Sequence, residues 1–153
     1  MSDKSDTATH HENFSVQCFN RAWDLMDKGD RSLDEDEEML RLGMTSLWHW
    51  TQRSDCTDQH QCIGYWLISR IHAMLGRADE ARRYGEFCLA KSGSADIAPF
   101  ARAYAYEALA RAESVAGNAE PRDKYIADSK AIIDTISDPD TQKMLLDDLA
   151  TIP

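Results

Sequence analysis

The chain has 153 residues, 27 of them acidic and 17 basic, for a formal net charge of −10. That balance argues against nucleic acid, which needs a basic footprint, and against an anionic membrane surface. One domain fits the length, and the 42% apolar content is ordinary for a soluble globular fold.

The polar start, Met1-Ser2-Asp3-Lys4-Ser5-Asp6, carries no apolar core of a secretory signal. No stretch approaches 18 uncharged apolar residues; the longest apolar patch, Ile63 to Ile71, is interrupted by Ser69 and Arg70. A cytoplasmic location is therefore expected. Residues 1–10 lack apolar spacing and read as a disordered leader, with 11–153 as a single helical-repeat domain.

From there the period is helical almost throughout. Phe14, Cys18, Ala22, Leu25 and Met26 form the stripe of a first helix, with Gly29 as its expected stop. Ser32 and Glu35 make a capping box for a second helix running to about Arg53. Leu40, Met44, Leu47, Trp48 and Thr51 share one of its faces. Ser54 to Asp58 is a polar loop. A third helix then runs to Leu75 and stops at Gly76, and a fourth runs to about Lys91 and stops at Gly93. Asp96 is the expected cap of a fifth helix, with Pro99 in its first turn. Gly117-Asn118 ends that helix and opens a sixth, where Pro121 sits in the first turn. Asp138-Pro139 opens a seventh, ending near Ala150. No segment alternates like a strand. Of the 19 alanines, only Ala8 and Ala22 precede residue 73, whereas all four tryptophans precede residue 67. The front half therefore packs through bulky side chains and the back half through close-set helices.

A shift of 41 residues superposes the third and fourth helices on the fifth and sixth. Tyr65 falls on Tyr106, Ile68 on Leu109, Arg70 on Arg111, Gly76 on Gly117, Tyr84 on Tyr125 and Ala90 on Ala131. Helical-repeat units span roughly 34 to 47 residues, and neighbours complete one another's core. The run Gly76-Arg77-Ala78-Asp79-Glu80-Ala81-Arg82-Arg83-Tyr84 resembles the centre of a tetratricopeptide repeat. In that family a turn glycine precedes a small residue by five positions, and an aromatic follows. Ala101 to Tyr125 matches more loosely, with Arg122 where the small residue belongs, and the period exceeds the family's 34. The resemblance is clearest over 63–131. It implies an all-α, tetratricopeptide-like antiparallel helix-hairpin array of about seven helices. Residues 12–53 would then be a divergent first pair and 139–150 a capping helix. Leu-Trp-His-Trp, Trp-Leu-Ile-Ser-Arg, Ala-Tyr-Ala-Tyr-Glu-Ala-Leu-Ala-Arg-Ala and the terminal Asp-Leu-Ala-Thr-Ile-Pro are also similar to a bacterial cytosolic family of uncharacterised activity.

Tetratricopeptide arrays line a concave face with the first helix of each pair. Carried over residue by residue, that pattern places Ile63, Trp66, Arg70 and Met74 there, with Tyr104, Glu107, Arg111 and Val115 beside them. Arg70 and Arg111 could clamp a carboxylate, because a guanidinium offers a bidentate fork. Trp66 and Tyr104 would wall the groove. The competing reading pairs Glu107 with Arg111 at i, i+4 on the surface and puts Trp66 in the core.

Three other constellations are weaker. His49, Cys56, His60 and Cys62 surround the polar loop, but their spacings do not suit zinc, so no metal or cofactor is expected. Cys18, Cys56, Cys62 and Cys88 read as free thiols. His49 with Arg70, Glu107 or Asp147 could build an acid–base pocket only if the array curled closed. The acids Asp34 to Glu38 suit a helix start. The expected function is a non-catalytic adaptor that binds a protein or peptide in the groove formed by Trp66, Arg70, Tyr104, Glu107 and Arg111, with His49 nearby. The alternative is a small-molecule binder or enzyme with a polar pocket around His49, Arg70 and Glu107. A third reading buries these residues and leaves an outer face for a partner or a homodimer.

Overall fold

The computed structural model describes the backbone of residues 2–153 and the side chains of residues 6–153. The described residues form seven α-helices and no strand. They are α1 (Ser2–Met26), α2 (Leu33–Thr51), α3 (Asp58–Met74), α4 (Ala78–Lys91), α5 (Pro99–Ala116), α6 (Ala119–Ile133) and α7 (Pro139–Ala150). No helix among them is long and apolar enough to cross a membrane. The protein is an all-α helical array, as its helical periodicity predicts.

Local chemistry sets most of the boundaries. Ser32 Oγ accepts from Glu35 N at 3.2 Å, and Glu35 Oε2 accepts from Ser32 N at 2.8 Å, closing the capping box. Thr57 and His60 make a second box at the start of α3. Asp138 Oδ2 accepts from Thr141 N at 3.0 Å, with Pro139 in the first turn of α7. Gly76 and Gly117 take the left-handed φ values of 71° and 78°. At each, the next residue's N–H reaches back five positions: Arg77 to His72 O and Asn118 to Glu113 O, both at 2.9 Å. These are two Schellman stops, 41 residues apart.

Four expectations are corrected. α1 is helical from Ser2, so the proposed leader at 1–10 lies within a helix wherever it is described. Its amphipathic part supplies the nucleus, and propagation adds one hydrogen bond per residue. α1 also ends before Gly29. Arg31 Nη1 takes the carbonyls of Leu25, Met26 and Lys28 at 3.2, 3.3 and 2.7 Å, so a cation rather than a glycine closes the helix. The cap residue of α5 is Ala98, not Asp96. Its extended backbone suits the position before Pro99, and its N–H is held by Gln59 Oε1 at 3.1 Å. The buried seam of α2 is Met39, Leu42, Gly43, Ser46 and Leu47, while Met44 and Trp48 face outward. Small residues allow two close approaches in that seam: Ser46 Oγ donates to Ser15 O at 2.6 Å, and a Cβ at Gly43 would stand 2.9 Å from Ile71 Cδ1.

The helices pack as hairpins α1/α2, α3/α4 and α5/α6. Neighbouring hairpins meet through α2–α3 and α4–α5, with α3 directly against α5. The lone α7 packs on α5 and α6, where the first helix of a fourth pair would stand. Leu67, Ile68, Ile71, Leu109, Ile133 and Leu145 are fully buried in this stack. The sequence repeat is also a geometric one. Tyr65 and Tyr84 stack with ring centroids 6.3 Å apart at 27°, and Tyr106 and Tyr125 do so at 6.2 Å and 28°.

Candidate functional site

The inner face of the stack is built from α1, α3, α5 and α7. α3 contributes Trp66 and Arg70, one helical turn apart. α5 contributes Tyr104, Glu107 and Arg111 on one stripe. Because Trp66 and Glu107 are equivalent positions of successive hairpins, the repeat brings them face to face. Trp66 Nε1 donates to Glu107 Oε2 at 2.7 Å.

Glu107 is 1% exposed, yet both its oxygens are satisfied. Oε1 accepts from Arg111 Nε at 2.8 Å and from Arg111 Nη2 at 2.6 Å. Arg70 Nη1 lies 3.8 Å from the same oxygen. Arg111 Nη2 also donates to Asp148 O at 3.1 Å and to Thr151 Oγ1 at 2.7 Å. It thereby places a cation at the carbonyl end of α7, where the helix dipole favours one. Arg70 Nη1 donates to Asp148 Oδ1 at 3.1 Å, and Tyr104 Oη donates to Asp148 Oδ2 at 2.8 Å. Burial, then this bond to Asp148, pushes the Tyr104 hydroxyl well above its ordinary pKa. Two guanidiniums and two carboxylates leave the cluster neutral, as a buried ionic network requires.

Aromatic rings close the remaining sides. Trp66 lies 4.6 Å from Tyr104 and 5.7 Å from Trp23 of α1, centroid to centroid. Arg70 Cζ stands 5.5 Å from the Trp23 ring and 5.6 Å from the Trp66 ring, within cation–π range. Solvent reaches the network at one edge, where the side chains of Arg70 and Asp148 are 14% and 23% exposed. No protein-family model, curated protein or solved structure matches this chain.

The structure thus gathers five of the six expected site residues: Trp66, Arg70, Tyr104, Glu107 and Arg111. Their face is covered by α7, and four of the five are buried. The i, i+4 bridge between Glu107 and Arg111 exists, but it is buried rather than on the surface, and Trp66 belongs to the core. His49 is elsewhere, because α2 turns it toward α1. Its Nδ1 is 2.8 Å from His11 Nδ1, and its ring packs on Phe14 and Trp48. No polar pocket therefore forms from His49 with Arg70 and Glu107.

The residues considered for zinc are also separated. His60 stacks on Trp50, and Cys62 meets Cys88. The described residues contain no group of three or more side chains placed to hold a metal. Asp147 pairs with Lys143 on the exposed face of α7, and the carboxylate that joins the network is Asp148. Trp23, Asp148 and Thr151 complete the site and were not singled out from the sequence. The terminal Asp-Leu-Ala-Thr-Ile-Pro motif, which begins at Asp148, was the available signal.

The His11–His49 contact carries a pH dependence. Burial, and then the neighbouring His11, lower the His49 pKa below the ordinary imidazole value. The unfolded chain binds the extra proton first as pH falls. The contribution of His49 to stability is therefore present above its unfolded value of about 6.5 and is lost as pH drops through the lower folded value. Replacing His49 with Gln is expected to flatten the urea-midpoint profile between about pH 5 and 7. An unchanged slope would mean that other groups set the acid limit.

Proposed function

We propose that this chain is a non-catalytic, cytoplasmic adaptor of tetratricopeptide-like build, which captures a protein or peptide partner at the edge of its α3–α5 face that α7 leaves open, beside Arg70. The observation that supports this reading is how Arg70 is engaged. Its guanidinium stands at the solvent edge of the inner face, beside the rings of Trp23 and Trp66, and holds a carboxylate displayed by a helix. That carboxylate is the chain's own Asp148. An acidic residue on a partner helix presents the same group to the same fork. Asp148 then acts as an internal stand-in that the partner's carboxylate replaces, while Arg111 and Glu107 stay paired beneath it. The two arginines of the repeat accordingly differ in role: Arg70 recognises, and Arg111 holds the framework.

Capture from a lysate of the source organism, quantified by mass spectrometry, tests this. Arg70→Ala is expected to lose the captured partner at least about tenfold, the scale of one charge-assisted contact, with little change in thermal midpoint. Asp148→Asn, which frees Arg70 and keeps an acceptor for Tyr104, is expected to raise capture. Equal capture by the wild-type and Arg70→Ala chains overturns the proposal.

A further inference from the structure

A second feature of the core lies outside that face. Cys62, in the second turn of α3, and Cys88, in the last turn of α4, are both 0% exposed. Their Sγ atoms are 3.2 Å apart. A disulfide bond measures about 2.05 Å, so roughly 1 Å of side-chain rotation separates two thiols from one cystine. The carbonyls of Cys88 and Ala101 lie 3.4 and 3.5 Å from Cys62 Sγ, and they fix it at the junction of α3, α4 and α5. The 41-residue repeat supplies an internal comparison. The positions equivalent to Cys62 and Cys88 are Ala103 and Ser129, where Ser129 Oγ donates to Ala103 O at 2.9 Å. One hairpin therefore closes this point with a hydroxyl, and its neighbour closes it with two thiols in contact.

We infer that Cys62 and Cys88 form a redox couple, a buried dithiol that a hydroperoxide converts to a disulfide tying α3 to α4. Hydrogen peroxide balances the step. One thiol sulfur attacks the peroxide and breaks its O–O bond, giving a sulfenic acid and one water. The neighbouring thiol sulfur then displaces the sulfenic oxygen, forming the S–S bond and a second water. The pair loses two electrons, and both thiol protons leave in water. Burial pushes the Cys88 thiol well above its ordinary pKa, and the thiolate is the reactive form, so oxidation proceeds through local opening of the hairpin and is slow. Once formed, the bond shortens the unfolded chain's freedom across a long loop and stiffens the hairpin that carries Trp66 and Arg70.

The full chain with Cys18→Ser and Cys56→Ser, treated with hydrogen peroxide, isolates the couple. Intact mass is expected to fall by two hydrogens, and a non-reducing digest to yield a peptide joining Cys62 to Cys88. The thermal midpoint is expected to rise by about 5–10 °C, and dithiothreitol to reverse all three changes. Adding Cys62→Ala with Cys88→Ser copies the pair already present at Ala103 and Ser129, so this control folds and shows no peroxide-dependent shift. Absence of the joined peptide, or oxidation that runs to sulfinic acid without it, overturns the inference. A joined peptide with a lowered midpoint also overturns it, because the bond would then not fit the native backbone.

Discussion

Arg111→Ala is expected to lower the unfolding free energy by about 3–5 kcal/mol, the range found when one partner of a buried ion pair is removed. Glu107 is 1% exposed and would keep only Trp66 Nε1 at 2.7 Å and the distant Arg70 at 3.8 Å. The two contacts from Arg111 to the end of α7, at Asp148 O and Thr151 Oγ1, disappear with the same side chain. A urea titration with far-ultraviolet circular dichroism reads the loss directly. Arg70→Ala makes the contrast. Its partner Asp148 is 23% exposed and can be rehydrated, so its loss should stay near 1 kcal/mol. Pairing Arg111→Met with Glu107→Gln removes the unpaired charge and keeps an acceptor for Trp66. That double variant is expected to be more stable than Arg111→Ala alone. If Arg111→Ala unfolds within about 1 kcal/mol of wild type, the network is not the clamp on α7 described above.

This contrast changes how the repeated arginines are to be interpreted. From the sequence, Arg70 and Arg111 are equivalent, because they occupy one register 41 residues apart. In the fold they are not, because α7 packs on α5 and α6 and so covers Arg111 more closely than Arg70. Position in a finite array therefore sets the environment, and a repeat pattern cannot encode that by itself. Removing both arginines at once would mix a stability effect with a recognition effect.

The legible part of the fold rested on short-range chemistry. The Ser32–Glu35 box, the stops at Gly76 and Gly117 and the Asp138-Pro139 start are each decided within a few residues. The repeat added one long-range fact, since equivalent faces of α3 and α5 must meet. It therefore put Trp66, Arg70, Tyr104, Glu107 and Arg111 on facing helices, where the fold brings them into contact. What escaped depends on the rotation and reach of whole helices. Asp147 and Asp148 differ by one position, or about 100° around α7. Leu145 and Leu149 are buried, and that side of α7 carries Asp148 inward and leaves Asp147 in solvent. The seam of α2 escaped because Gly43 and Ser46 interleave Met39, Leu42 and Leu47 on the buried side, while Met44 and Trp48 add large apolar side chains to the exposed side. His49 lies on α2, outside the repeat, so no equivalence tied it to Arg70. The contact between Cys62 and Cys88 follows from the crossing of α3 and α4, which their spacing along the chain does not specify.

The second large effect concerns the joint between hairpins, at α4–α5. Leu109 is 1% exposed and lies over Gly85. A Cβ at Gly85 would stand 2.9 Å from Leu109 Cδ2 and 3.2 Å from its Cγ, with Leu109 N at 3.5 Å. The glycine thus lets α4 approach α5 to within one leucine side chain. Leu109→Ala is expected to cost about 2–5 kcal/mol through lost burial and the cavity left behind. Gly85→Ala sets two terms against each other. Overpacking costs about 1–3 kcal/mol, and alanine in a helix interior returns about 1 kcal/mol of propensity. Leu109 is enclosed and cannot swing away, so the clash wins and the single change is destabilising. In the Leu109→Ala background the clash is gone. Gly85→Ala is then expected to become stabilising, by about 1 kcal/mol, as the propensity gain remains and the methyl fills part of the cavity. A double-mutant cycle by urea denaturation measures that change of sign. Additive effects, within about 0.5 kcal/mol, would show that Gly85 does not act through Leu109 and that the close approach of the two hairpins has another cause.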